Sequence, residues 1–140
     1  MQRIVKRSKT DIKVRNLALS IVRHLPPKDF AGQARACFYW VRDNIRYVGD
    51  VSGVETIHTP EELLKTMQGD CDDKSIMVCA LLESIGHKTR FLAIGRHAGQ
   101  YSHVLAETRI GNSWFAMETT ENYAFGQPPP GPWYTMRVHN

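Results

Sequence analysis

Gly69-Asp70-Cys71-Asp72-Asp73-Lys74-Ser75-Ile76-Met77-Val78-Cys79-Ala80-Leu81-Leu82-Glu83-Ser84-Ile85-Gly86 is the stretch on which the reading of this chain turns. A glycine turn feeds three acids around one cysteine, and an apolar run follows. Cys71, Ser75, Val78, Leu82 and Ile85 recur at helical spacing, with Met77 and Leu81 beside them. The spacing predicts a helix from Cys71 to about Ile85, closed by Gly86. Asp70, Asp72 and Asp73 are expected as caps and first-turn carboxylates.

Working upstream, Thr59-Pro60-Glu61-Glu62 is a helix start: Thr59 as cap, Pro60 at the first helical position, Glu62 as the reciprocal partner. That helix should run from Glu61 to about Met67 and break at Gly69, with Gly49–His58 before it as a loop. A longer helix is expected from about Ala31 to Tyr47, burying Ala34, Phe38, Val41 and Ile45, with Cys37 and Trp40 as packing residues beside that stripe. Ser8 and Asp11 have capping-box spacing, and Val14, Leu17, Ala18, Ile21 and Leu25 then recur until Pro26-Pro27 stops the helix.

Downstream the period changes. Thr89–Ile94, Tyr101–Thr108 and Ser113–Thr119 read as strands, with Gly111-Asn112 as a hairpin turn between the last two. Helices first and an antiparallel sheet after them make an α+β domain. Residues 1–140 are read as one domain: a basic N-terminal helix over 1–27, a core over 28–122 and a Pro-rich C-terminal segment over 123–140. That segment contains Pro128-Pro129-Pro130-Gly131-Pro132, which suits either a groove-binding polyproline stretch or a cover over the cleft.

Apolar content of 42% and charged content of 23% are those of a soluble globular protein, and no apolar run approaches a membrane span. No apolar signal core follows the basic start, so a cytoplasmic location is expected. The net charge of +4 is unevenly spread: residues 1–24 carry seven Lys/Arg against the single acid Asp11. A basic arm of this kind can contact nucleic acid, but it reads better as a solvated helix face, and no aromatic stacking platform accompanies it.

The three cysteines form no short-spaced metal-ligand pair, and Cys37 and Cys79 fall among packing positions. Cys71 differs because it opens a helix, where free N–H groups and the dipole favour a thiolate and can stabilise an oxyanion. Of six histidines, His24, His87 and His139 read as surface residues and His97 as a loop residue. His58 precedes the Thr59 cap in a loop and is a weaker site candidate. His103 alone sits in a strand, a rigid setting for a base. With the hairpin centred on Ile110-Gly111, His103 faces Glu118; centred on Gly111-Asn112, the two are diagonal on one face. A carboxylate in the apolar run Ala116-Met117-Glu118-Thr119-Thr120 needs a partner, and either register brings His103 within its reach.

These residues resemble the transglutaminase-like superfamily, in particular its small bacterial and phage-encoded cysteine peptidase branch. The resemblance runs from about Ala34 to Thr120. It rests on Phe38–Tyr47, Thr59–Leu64, Gly69–Ser75, Leu81–Gly86, Tyr101-Ser102-His103-Val104 and Trp114–Thr120, in the order Cys, His, acid. It implies a papain-like fold and a Cys71, His103, Glu118 triad, with Glu118 where the family usually has aspartate. Gln68 is the candidate for a second oxyanion donor, or else a surface residue at a helix end; Trp114 is the candidate for an acyl-groove wall. The implied chemistry needs no cofactor or metal: Cys71 attacks an amide or ester carbonyl of a peptide or protein, and the thioester passes to water. Transfer to an amine and a non-catalytic assembly role on the same fold are the alternatives.

Overall fold

The computed structural model describes residues 1–49 and 57–140, so most of the expected Gly49–His58 loop lies outside the described residues. The basic N-terminal segment is two helices, α1 (Gln2–Ser8) and α2 (Ile12–Val22), where the sequence pattern suggests one. The division falls at Asp11, whose carboxylate accepts from the N–H groups of Lys13 and Val14 and so caps α2 itself. Ser8 belongs to the end of α1 and is buried, so the Ser8–Asp11 capping box does not form.

α3 (Phe30–Asn44) is capped by Asp29, which accepts from the Gly32 N–H at 3.1 Å. It buries Ala34, Phe38 and Val41 of the expected stripe with Cys37 beside them, and Ile45, just past its end, is buried too. It stops three residues short of Tyr47 because Arg46 and Tyr47 turn extended. They form a short strand, β1 (Arg46–Tyr47), parallel to β2 (Gln68–Gly69). α4 (Pro60–Thr66) lies between them, with Thr59 as its cap, and it ends at Met67 in the left-handed conformation (φ 55°). Gly69 is therefore not its breaker but a member of β2.

α5 (Cys71–Ser84) is the centre of the molecule. Every residue from Asp73 to Leu82 is buried, and from Ile76 onward that run is apolar on all sides, as a helix in the interior rather than on a surface requires. Each large side chain wholly removed from water there, such as Ile76, Met77 or Leu81, contributes about 1.5–3 kcal/mol. α1, α2, α3 and α4 pack round it, and a four-stranded antiparallel sheet closes the remaining side.

The sheet has the order β5-β4-β3-β6, from β3 (Thr89–Gly95), β4 (His103–Ile110), β5 (Ser113–Met117) and β6 (Tyr134–His139). The β4–β5 register pairs Ala106 with Met117, which centres the hairpin on Gly111-Asn112; Gly111 takes the positive φ of 63° that such a turn needs. Phe91, Val104, Ala106 and Met117 face α5, while Leu92, Ile94, Leu105 and Ala116 form a small outer cluster with Trp133.

The C-terminal segment carries a strand that the sequence pattern did not lead us to expect. Residues 134–139 return antiparallel to β3, so the Pro-rich stretch is a connection that delivers an edge strand. His87 also departs from the surface position expected of it. It is buried, its Nε2 lies 2.8 Å from Gln33 Oε1 and its ring meets Phe30 edge-on, and burial lowers its pKa. No described helix is long and apolar enough to cross a membrane.

Candidate active site

Cys71 is the first residue of α5, set there by a reciprocal capping box. Asp70 accepts from the Asp73 N–H at 3.0 Å, and Asp73 accepts from the Asp70 N–H at 3.1 Å. Asp73 also accepts from the His58 N–H at 2.6 Å and lies 3.0 Å from His58 Nδ1. The hydrogen bond to Asp73 raises the His58 pKa. His58 thus buttresses the helix start and does not face the thiol.

Two of the three acids, Asp70 and Asp73, are therefore spent on the backbone and a histidine. Gly69 permits the arrangement, since a Cβ there would lie 2.7 Å from both Asp73 Cβ and Leu63 Cδ1. β1 lies alongside and places Tyr47 at the rim of the same cleft.

His103 opens β4, and Glu118 follows the last residue of β5. Their side chains meet, with His103 Nε2 2.6 Å from Glu118 Oε2. Glu118 is 1% exposed, and its other oxygen accepts from the Thr120 hydroxyl at 2.7 Å and the Thr120 N–H at 3.2 Å. A buried carboxylate with both oxygens occupied is fixed in place.

His103 also hydrogen-bonds Cys71, and with Nε2 committed to Glu118 the nitrogen left for the thiol is Nδ1. Burial works against a charge on His103. The hydrogen bonds to Cys71 and Glu118, together with their charges, outweigh it and push the imidazole up to about 10. Cys37 and Cys79 are wholly buried, and burial drives both thiols up to about 12, which removes them as nucleophiles.

The structure thus brings Cys71, His103 and Glu118 together and leaves the other two candidates outside. Gln68 is exposed in β2, because strand alternation turns Gly69 inward and Gln68 to solvent, and its side chain does not line the cleft. Trp114 lies on the outer face of the sheet, its ring under the Arg90 guanidinium at 4.0 Å and beside His139. Alternation along β5 puts it on the face away from α5.

The cleft, about 530 Å³, is lined by residues that the sequence reading did not single out, among them Tyr101 on the loop before β4 and Met136 and Val138 of β6. The Tyr134–His139 alternation was the available signal for that strand. Lys74 was also missed. Buried one turn after Cys71, it donates to the carbonyls of Ile45 at 2.6 Å and Arg42 at 3.4 Å, closing the end of α3; burial lowers its pKa to about 8.

Residues 15–119, about three quarters of the chain, match the family model described as the transglutaminase-like superfamily. Solved structures share the fold at low identity. One from Cytophaga hutchinsonii, described as a "putative cysteine protease", has a TM-score of 0.62 at 14% identity over 91% of this chain and 50% of that one. A "putative protease" from Parabacteroides distasonis has a TM-score of 0.67 at 10% identity over 84% and 25%. Legionella pneumophila LapG has a TM-score of 0.61 at 14% identity over 89% and 75%. The chain therefore spans half the length of the first and a quarter of the second. Among curated proteins no significant match is found.

Proposed function

Because the chain belongs to the transglutaminase-like superfamily, we propose that it is a cysteine-dependent acyl-transfer enzyme that hydrolyses a peptide or amide bond through a thioester at Cys71. The observation that carries this reading is the continuous chain Cys71–His103–Glu118, ending on a carboxylate that Thr120 holds from two sides. The protease descriptions of its structural neighbours agree with it, though they are statements about those proteins.

The chemistry follows from the placement. Cys71 Sγ bonds to the carbonyl carbon, and the oxygen gathers negative charge against the N–H groups of the first turn of α5. His103, charged by its two partners, gives its proton to the leaving nitrogen as the C–N bond breaks. Water then attacks the thioester, its proton passes to His103, and the thiolate leaves. Glu118 holds the ring and stabilises its charged form throughout.

Alkylation of Cys71 by iodoacetamide, followed against pH, tests the reading. Wild type should react at neutral pH well above the rate of a free thiol, Cys71→Ala should not label, and His103→Ala should lose the enhancement. A wild-type rate equal to that of a free thiol, unchanged in His103→Ala, would remove the enzyme reading. Release of the amine from peptide amides then identifies hydrolysis, and incorporation of an added amine into product identifies transfer.

A further inference from the structure

The inner face of the sheet is covered unevenly. α5 packs on β4 and β3, but at the β6 edge Met136 is 46% exposed and Val138 is half-buried. The register sets Val104, Ala93 and Met136 in one row across β4, β3 and β6, with Phe91 and Val138 in the next row. All five line the cleft that holds Cys71 and His103, and Tyr101 stands at its rim, 40% exposed.

The direction of this strip decides what part of a substrate it meets. Glu118 holds His103 from the β5 side, whereas the strip leads the opposite way, from β4 across β3 to β6. The leaving nitrogen has to lie beside the imidazole to receive its proton, so the strip is left to the acyl portion. Its chemistry is apolar, and the methionine, with its flexible thioether, adapts to side chains of different shape. Asp70 and Asp72 line the same cleft, so an acidic side chain meets apolar surface with two acids beside it.

We propose that Ala93, Met136, Val138 and Tyr101 form an acyl-side subsite for an apolar side chain of leucine, methionine or phenylalanine size, on one of the two residues preceding the scissile bond. This rests on the acyl-transfer reading and adds a substrate class to it. A subsite of this kind separates apolar from polar side chains by roughly tenfold or more.

Dipeptidyl aldehydes test the subsite. The aldehyde carbon bonds to Sγ and the thiol proton ends on the new hydroxyl, giving a reversible thiohemiacetal without a leaving group. With leucine, phenylalanine, glycine, lysine and aspartate varied at each position, binding at one position should favour leucine or phenylalanine over glycine and aspartate by at least tenfold. Met136→Glu should lower that ratio at least fivefold and Met136→Leu should keep it.

A flat series in a wild-type protein whose Cys71 alkylation depends on His103 overturns the subsite alone. An apolar preference that survives in folded Met136→Glu overturns its location. Alkylation independent of His103 overturns the catalytic reading and the subsite with it. The wild-type series decides the matter even if Met136→Glu does not fold.

Discussion

His103 Nε2 lies 2.6 Å from Glu118 Oε2 although the two residues are not cross-strand partners: His103 pairs with Ile94 on the other side of β4, and the β4–β5 ladder ends at Ala106 and Met117. The contact is diagonal, and the longer glutamate side chain spans it. Glu118→Asp should therefore lower kcat/KM even though aspartate is the commoner residue in this family. Shortening by one methylene withdraws the carboxylate by about 1.5 Å on a fixed backbone. Glu118→Gln should lower kcat by roughly 10²–10⁴-fold, because an amide orients the ring without stabilising its charge. Steady-state kinetics of the two variants beside wild type check this, and a Glu118→Asp enzyme as fast as wild type would refute the diagonal argument.

The charge on His103 links the site to stability. Its pKa is pushed up to about 10 in the folded chain, against an ordinary 6.5. A raised folded-state value means the folded chain holds the proton more tightly. The stabilisation is then fully present below about pH 6.5 and is lost as pH rises through about 10. The difference in Tm between wild type and His103→Gln should be largest near pH 6 and shrink steadily toward pH 10.5. A difference independent of pH would show that the ring acts only by packing.

Gly69→Ala tests the helix start. The new Cβ would lie 2.7 Å from Asp73 Cβ, at the root of its side chain, and 2.7 Å from a methyl of the buried Leu63. The expected cost is about 1–3 kcal/mol in urea unfolding. Cys71 should also alkylate more slowly, because the Asp73 side of the capping box must shift. Unchanged stability would mean that β2 can move away from α5.

Behind the His103–Glu118 pair, on the outer face of the sheet, Pro129, Pro130 and Trp133 line a smaller hollow that both residues also reach. The Trp133 indole donates to the Pro129 carbonyl at 3.2 Å, and the Arg96 guanidinium lies 4.8 Å above its ring. Removing the ring admits water to the pair, which weakens a charged hydrogen bond. Trp133→Ala should lower kcat several-fold at least and shift the basic limb of the pH–rate profile downward, with Trp133→Phe restoring most of both. A profile that does not move would reduce Trp133 to a packing residue of the outer cluster.

The parts of this chain that could be read before folding are those governed by neighbours in sequence. Thr59 and Pro60 start α4, acids flanking Cys71 cap α5, and Gly111-Asn112 sets a register that brings His103 to Glu118, each within one turn of helix or one hairpin. Family membership and the helix-then-sheet order followed from the same local signals. What they did not determine depends on residues far apart in the chain competing for the same space. Arg46 and Tyr47 leave the helical pattern of α3 to pair with Gln68 and Gly69, and Lys74 is drawn inside because the end of α3 offers it two carbonyls. The same competition turns a Pro-rich tail into a route for β6 to the free side of β3. The thiol and its base were legible because caps and turns are local hydrogen-bond problems. The walls of the cleft were not, because which apolar residues face it is settled only when strands some 40 residues apart choose their partners.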